Sequence, residues 1–376
     1  MYLPSFPEVQ SSLHTSATNV QLTLTAFLFG VAFGQIIWGP VSDRYGRRNP
    51  LLVGSVVAVL AGVVVVLAPD IEVLIGARFV QAVAAAGGMV IARAVIADLL
   101  RGFAGARSMT LMMTIQNLAP VLAPVVGGLL AGHVPWRGVL GVILAITVLQ
   151  LVMAVTTVPE TLPPERRADR LGYRDLVGRF RKPAFLAYVL TQAFGFGALM
   201  AYISSSSFVY QEVIGVSSVV YGLGFAVNAL GLVAAGLVTA RLARHQVHPA
   251  RMIAVALGAL LIASACVLLA AMSSMPGLLV IPLFIAVTSF GFVSGNAAAL
   301  AMEHSRDAVG AGSAVLGGVM FGVGGSLSPL GGLGGSHTAV PMGAVMVASA
   351  LVATICFVWA RRAVGLHPDS EAVFTS

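Results

Sequence analysis

The chain is poor in charged residues. Asp, Glu, Lys and Arg make up 9% of its 376 residues, whereas 58% are hydrophobic. Soluble domains carry about 25% charged residues, so a soluble globular domain is excluded. The apolar content also excludes a disordered or fibrous chain, despite 42 glycines and 18 prolines. The composition indicates an all-α protein that crosses a membrane many times.

Cysteine and lysine are almost absent as well. Cys266 and Cys356 lie in separate apolar runs, which leaves no disulfide framework and no cysteine metal site. Lys182 is the only lysine and does not belong to a G-x-x-x-x-G-K-[ST] phosphate loop, which argues against an ATP-driven pump. Hydrolase motifs such as H-E-x-x-H and G-x-S-x-G are missing. We therefore expect no enzyme, no cofactor and no metal.

Eleven apolar stretches are long enough to span a bilayer, which needs about 20 such residues per helix. They are predicted at 19–40, 50–68, 73–98, 108–131, 138–158, 184–210, 218–240, 251–272, 277–301, 309–333 and 339–360.

Arginine fixes the expected orientation. If residues 1–18 lie outside, only Arg137 faces outward, Arg78 and Arg93 lie within spans, and every other basic residue faces the cytoplasm. By the positive-inside rule the N-terminus is outside and the C-terminus inside, which explains the net charge of +7 without any nucleic acid.

The polar stretch 159–183 divides the chain into an N-terminal bundle, 1–158, with five predicted helices and a C-terminal bundle, 184–376, with six. Tyr2 and its neighbours parallel Tyr202 and its neighbours, which indicates a parallel repeat of six-helix units, the plan of one large transporter fold. Residues 184–201 have no counterpart in the first bundle. We therefore expect that an ancestral first helix is absent from this chain.

Residues 39–48 read G-P-V-S-D-R-Y-G-R-R, with Gly39, Asp43, Arg44, Gly46, Arg47 and Arg48 in fixed positions. This segment resembles the major facilitator superfamily loop signature G-x-x-x-D-R-x-G-R-R at every specified position. The resemblance implies a latch between the two bundles in which Asp43 and Arg47 pair with Asp98, near the start of the helix beginning about Val309. The alternative is a topological anchor only.

Two further segments are similar to patterns of the same superfamily. Arg78 and Gln81 resemble R-x-x-Q-G, with Ala82 for Gly, and Arg93 points broadly the same way from the same helix. These groups either face a cavity or bond backbone carbonyls. The second segment resembles the antiporter motif G-x-x-x-G-P-x-x-G-G, with both leading glycines replaced by alanine. Its motif positions are Ala119, Pro120, Ala123, Pro124, Gly127 and Gly128. That motif implies a kinked, tightly packed helix and favours export; a plain packing kink is the alternative.

Local matches, among them Trp136-Arg137 and Pro159-Glu160-Thr161-Leu162, resemble the bicyclomycin/chloramphenicol resistance (Bcr/CflA) subfamily of drug exporters. The resemblance implies a monomer of the bacterial inner membrane that exports small amphipathic drugs by proton antiport. Polar and aromatic residues within the spans are the candidates for a substrate cavity: Gln21, Thr25, Gln35, Met113, Gln116, Asn117, Tyr202, Phe208, Asn228 and Asn296.

No carboxylate is predicted in the middle of a span. In the subfamily an acidic residue commonly precedes the M-Y-L-P stretch, which here begins at Met1. Two readings stay open: the acid lies upstream of this start, or the chain is a truncated, differently coupled or non-transporting relative.

Reporter fusions test the predicted orientation. A phosphatase fused within the Asp43–Arg48 turn should be inactive and one fused at Glu72 active, because only the latter is predicted outside. The reverse pattern, or an even number of crossings, contradicts the predicted topology.

Overall fold

The computed structural model describes residues 1–100, 108, 112, 122–131, 133–167, 182–273, 276–305 and 309–365. Helices dominate these residues, joined by short 3₁₀ and π turns. They are α1 (Phe6–Ser12), α2 (Ala17–Tyr45), α3 (Arg48–Leu67), α4 (Ile71–Leu99), α5 (Leu122–Ala131), α6 (Trp136–Thr157), α7 (Pro183–Phe208), α8 (Ser218–Arg244), α9 (Pro249–Met272), α10 (Val280–Glu303), α11 (Val309–Leu327) and α12 (Val340–Gly365).

The predicted fold class is confirmed. Ten of the described helices are long and apolar enough to cross a membrane, and they coincide with ten of the predicted stretches. The remaining stretch, predicted at 108–131, is described as a continuous helix only over Leu122–Ala131. Several helices run past their apolar segments; α2, for example, continues through Asp43 and Arg44 to Tyr45.

Local side chains explain where several helices begin. The hydroxyl of Ser16 accepts a hydrogen bond from the Asn19 amide at 3.1 Å, and a carboxylate oxygen of Asp70 accepts one from the Val73 amide at 2.8 Å. Such N-caps satisfy amides that have no partner inside the helix. Helix α3 has no N-cap from a neighbouring side chain. Instead, the backbone amide at its start binds a carboxylate from a distant segment.

Within the first half of the chain, α2 packs against α4, and α3 packs against α4 and α6. The indole of Trp38 ties α2 to α4 by donating to the Val83 carbonyl at 2.7 Å. Within the second half, α7 occupies the centre and packs against α10, α11 and α12. It is the most buried of the spanning helices that the structure describes.

The two halves meet mainly where α2 packs against α11 and the 3₁₀ turn Ser328–Gly332. Glycines of α11 allow this approach: Gly318 faces Ile36, and Gly325 faces Phe29. The Thr18 hydroxyl donates to the Gly332 carbonyl at 2.9 Å. Among the described residues, the contact between the halves therefore combines close helix packing, apolar side-chain contacts such as Phe6–Phe208 and isolated hydrogen bonds.

The α2–α4 contact should tolerate no side chain at Gly30, where a Cβ atom would lie 2.7 Å from the Ala82 Cβ. Replacing Gly30 by Val should destabilise the protein by about 1–3 kcal/mol, the usual cost of overpacking. Gly76→Val is the matched control, because a Cβ there meets no atom of the described residues within 4 Å. Thermal unfolding of the detergent-solubilised variants measures the stability of both, and equal losses of stability contradict the packing.

Candidate functional site

A charge network holds the turn between α2 and α3. The buried guanidinium of Arg47 donates from Nε to Asp98 at 2.9 Å, to the Ser42 hydroxyl at 2.8 Å, and to Asp43. Burial alone lowers the pKa of Arg47, but the carboxylates of Asp98 and Asp43 outweigh burial and raise it. The turn is thereby fixed to the end of α4, where Asp98 lies.

Glu160, in the linker after α6, supplies the missing cap of α3. Its carboxylate accepts from the amides of Arg47 at 2.8 Å and Arg48 at 3.3 Å, and from those of Thr161 at 3.0 Å and Leu162 at 2.9 Å. Partial burial raises the pKa of Glu160, but these four N–H donors outweigh it and lower the pKa overall. A carboxylate at a helix N-terminus is also favoured by the helix dipole.

Gly46 makes this arrangement sterically possible. Its φ of 88° lies in the left-handed region, and a Cβ there would collide with the Glu160 carboxylate. Arg48 extends the contact by donating to the Val158 carbonyl at 3.0 Å and the Val155 carbonyl at 3.1 Å. The α2–α3 turn is thus attached to α4, to the end of α6 and to the linker that leads to the second half.

The predicted loop residues fall into two groups. Asp43, Arg47 and Asp98 are brought together, whereas Arg44 lies over the ring of Tyr45, at 5.5 Å from its centroid. A Cβ added at Gly39 would lie 4.0 Å from the Val90 side chain. The side chains at 309–311, the predicted partner of the loop, lie outside the described residues.

Glu160 is the residue that sequence reasoning missed as part of this site. In the sequence, Glu160 is noted only as part of the Pro159-Glu160-Thr161-Leu162 segment, which contributes to the subfamily resemblance. It lies 112 residues beyond Arg48, and no local capping pattern relates positions so far apart.

A cavity of about 300 Å³ lies inside the first half, between α2, α3, α4 and α6. This volume is at the lower end of the range for small-molecule sites. Its walls combine apolar and polar side chains, including Phe27, Ser55, Arg78, Gln81, Thr147 and Gln150. Two of the predicted cavity groups, Arg78 and Gln81, therefore line the same space.

Arg78 is buried beside this cavity. Its guanidinium donates to the Gln81 side-chain oxygen at 2.9 Å and lies 4.9 Å from the Tyr2 ring centroid and 5.0 Å from that of Phe27. Its Nε has no hydrogen-bond partner among the described residues. Among the described residues no carboxylate pairs with Arg78, so aromatic faces and one amide surround the cation. Arg93 lies half-buried, about four turns further along α4.

The other predicted cavity residues that the structure describes are not among those that line this cavity. Gln21 contacts the second half through the Ser205 hydroxyl at 3.5 Å, and Gln35 lies against Gly317. Asn296 donates back to the Phe292 carbonyl of its own helix at 2.7 Å, and the Thr25 hydroxyl donates to the Gln21 carbonyl at 3.3 Å. Met113, Gln116 and Asn117 lie outside the described residues.

Tyr202, Phe208 and Asn228 belong to packed contacts. The Asn228 amide donates to the Tyr202 hydroxyl at 2.7 Å, and the Tyr202 ring stacks on Phe225 with centroids 5.8 Å apart. Phe208 packs against Phe6 of the first half, with centroids 6.1 Å apart. These side chains thus hold helices together within and between the halves.

The predicted antiporter motif is described only in part, since Ala119 and Pro120 lie outside the described residues. Ala123, Pro124, Gly127 and Gly128 belong to α5. A Cβ at Gly222 of α8 would lie 2.8 Å from the Pro124 carbonyl and 3.4 Å from the Gly128 Cα, so the two backbones are in close contact. Helix α5 therefore packs tightly against a helix of the second half.

Comparisons with known proteins agree with this fold. Residues 1–329 match the family model of the Major Facilitator Superfamily. The chain is 36% identical over 363 residues to an uncharacterized MFS-type transporter, YdgK, of Bacillus subtilis (strain 168), a match that covers 95% of this chain and 90% of the relative.

Other relatives have names that refer to drug resistance. A bicyclomycin resistance protein homolog of Haemophilus influenzae is 29% identical over 95% of this chain and 90% of its own length. A chloramphenicol resistance protein of Pseudomonas aeruginosa is 31% identical over 62% of this chain and 55% of its own length. Among solved structures, a mutant of the nucleoside transporter NupG superposes with a TM-score of 0.72 at 11% identity, covering 96% of this chain and 94% of that one.

The cap formed by Glu160 should make stability depend on pH. Because its pKa is lowered on folding, the ionised carboxylate stabilises the protein above its ordinary pKa of 4.5, and this contribution is lost as the pH falls below that value. Glu160→Gln should cost about 1–2 kcal/mol at pH 7 and flatten the acid limb of the unfolding profile. Glu165→Gln, an exposed change in the same linker, is the control. Equal pH profiles for the wild type and Glu160→Gln contradict the cap.

Proposed function

The chain belongs to the major facilitator superfamily, and from this premise we propose that it exports small amphipathic, drug-like molecules across a bacterial inner membrane. Its resemblance to the bicyclomycin/chloramphenicol resistance subfamily is confirmed by relatives that carry those names. A role in membrane transport, rather than in enzyme catalysis, follows from the family. The direction of transport and the substrate class are the proposed part, supported by those relatives and by the site.

The observation that carries the proposal is the environment of Arg78. Arg78 lines the cavity, and a guanidinium there can donate a charge-assisted hydrogen bond to a ligand oxygen. The Phe27 ring and the apolar wall of the cavity offer contact to a ring or alkyl group. This combination suits a molecule that carries carbonyl, hydroxyl or carboxylate oxygens on an apolar frame.

Alternating access requires the halves to change their contacts. The ion pairs found among the described residues lie within one half, as in Arg47–Asp98 and Glu212–His337, or within the linker, as in Arg167–Glu160. The described contacts between the halves are glycine packing, apolar contacts such as Phe6–Phe208 and isolated hydrogen bonds such as Thr18 to Gly332. We propose that the halves rock about this contact, because such rocking need not break an ion pair between described residues.

We propose the proton gradient as the driving force, with the N-terminus outside, the C-terminus inside and a monomer as the working unit. The acids that the structure describes lie at helix ends or in turns: Glu8, Asp43, Asp70, Glu72, Asp98, Glu160, Glu165, Glu212 and Glu303. No described span carries a carboxylate at its middle. That observation favours a second candidate, an uncoupled or non-transporting member of the family.

Reconstitution separates the two candidates. The purified full chain in proteoliposomes with an imposed pH gradient should move radiolabelled chloramphenicol uphill, and an ionophore that collapses the gradient should abolish accumulation. Movement only down the drug gradient indicates an uncoupled carrier. The absence of movement across several amphipathic drugs, with correctly inserted protein, contradicts export.

Substitution of Arg78 tests the site. Arg78→Ala should reduce chloramphenicol transport by about ten- to a hundredfold, since a hydrogen bond to a charged group contributes about 1.5–3 kcal/mol. Arg78→Lys keeps the charge but loses the planar donor pair, so a smaller loss is expected. The exposed Arg241→Gln serves as the control. Wild-type transport by a folded Arg78→Ala variant contradicts the assignment.

A further inference from the structure

A groove runs along the outside of the second half, away from the cavity at Arg78. Helices α8 and α9 both pack against α10 but make few contacts with each other, so the face of α10 between them forms a floor. The groove has a volume of about 440 Å³ and almost entirely apolar walls, including Val238, Met252, Ala259, Phe284 and Phe292. The outer rim is exposed, with Val255 at 75% exposure.

The groove extends deep into the apolar layer. Its floor residues Phe284 and Thr288 lie next to Gly231 of α8. On α10 the lining residues run from Phe284 to Phe292, eight residues or about 12 Å along the helix axis. Half of a bilayer's hydrocarbon core measures about 15 Å. The groove therefore has the depth that one leaflet's acyl chains occupy.

A cation stands at the mouth of the groove. Arg251, in the first turn of α9, lines the groove and also a second cavity of about 460 Å³. That second cavity is polar and includes Gln246, His248 and Arg361. Arg251 thus lies where an apolar channel meets a polar pocket that holds a second guanidinium.

The charge at this end of the second half favours an anion. The basic residues described there are Lys182, Arg241, Arg244, Arg251, Arg361 and Arg362. The acids in the described part of the second half are Glu303, at the same end, and Glu212, at the opposite end. A negatively charged group at the mouth would therefore meet an excess of cations.

We propose that this groove binds an anionic phospholipid, with an acyl chain along α10 and its phosphate at Arg251 and Arg361. Guanidinium groups bind phosphate oxygens in pairs of parallel hydrogen bonds, and basic pockets at the ends of membrane helices recognise anionic head groups. A zwitterionic head group brings its own ammonium into the same cluster of arginines and binds less well. A free anion would use the polar pocket and leave the apolar groove without a role.

Native mass spectrometry of the full chain in detergent tests the head-group preference. With equal amounts of phosphatidylglycerol and phosphatidylethanolamine, the first bound lipid should be phosphatidylglycerol. Arg251→Gln should weaken that binding about tenfold, the effect of losing a charge-assisted hydrogen bond. Arg362→Gln is the matched control, because this exposed arginine lies at the same end and is not among the residues that line either cavity. Equal binding of the two lipids, or equal effects of the two variants, overturns the proposal.

The acyl chain requires its own test. Ala259→Phe places a ring in the groove without touching the polar pocket, and it should weaken phosphatidylglycerol binding while Arg251 is intact. Glycerol 3-phosphate, a head group without chains, should not displace the lipid at equal concentration. Displacement by glycerol 3-phosphate, or unchanged binding by Ala259→Phe, indicates a site for small anions and overturns the proposal.

A second variant tests the head-group assignment whether or not Ala259→Phe folds. Ala254 is exposed and lines the polar pocket, so Ala254→Glu adds a negative charge beside Arg251 without filling the core. It should reduce phosphatidylglycerol binding and leave phosphatidylethanolamine binding unchanged. A folded Ala254→Glu variant that still prefers phosphatidylglycerol contradicts the head-group assignment.

Discussion

The first half depends on one constraint, the burial of a cation. Arg78 has no carboxylate partner among the described residues and lies inside a helix bundle in lipid. Placing an arginine at the centre of a membrane helix costs about 2.5–3.5 kcal/mol on insertion scales. The rings of Tyr2 and Phe27 and the amide oxygen of Gln81 offset part of that cost for Arg78. Arg78 also lines a cavity, and its Nε has no hydrogen-bond partner among the described residues. A ligand oxygen in the cavity would add a hydrogen-bond acceptor for the guanidinium, which gives the buried charge a role in binding.

The free-energy cost of placing a charge in lipid also explains why most charged residues lie at helix ends. At the helix ends they can affect how the two halves move. Arg47 joins α2 to α4 through Asp98, and Glu160 joins the start of α3 to the linker between the halves. The α2–α3 turn, α4 and the linker should therefore move together. By contrast, the halves touch through glycines of α11, such as Gly318, which form few bonds that a rocking motion must break.

Much of the fold could be predicted from the sequence, because a membrane span needs an uninterrupted apolar run and each run is visible locally. The Arg78–Gln81 pair was equally visible, since residues three apart on a helix are neighbours. Glu160 was not, because it caps a helix whose first residue lies 112 positions earlier. A cap of this kind depends on how distant segments pack.

The polar residues inside spans show a second limit of sequence reasoning. Gln21, Tyr202, Asn228 and Asn296 were predicted to line a substrate cavity, a role that stays untested. In the structure they bond to neighbouring helices or to their own backbone. The periodicity of a span shows which residues share a face, but not whether a cavity or another helix lies opposite.

The central claim is that a ligand occupies the cavity beside Arg78. It is tested most directly by the rate at which a thiol reagent labels a cysteine at Thr147, which lines that cavity, in a chain with Cys266 and Cys356 replaced by serine. Chloramphenicol should slow the labelling when Arg78 is present and should not slow it after Arg78→Ala. Equal protection in both backgrounds, or none in either, would contradict the account.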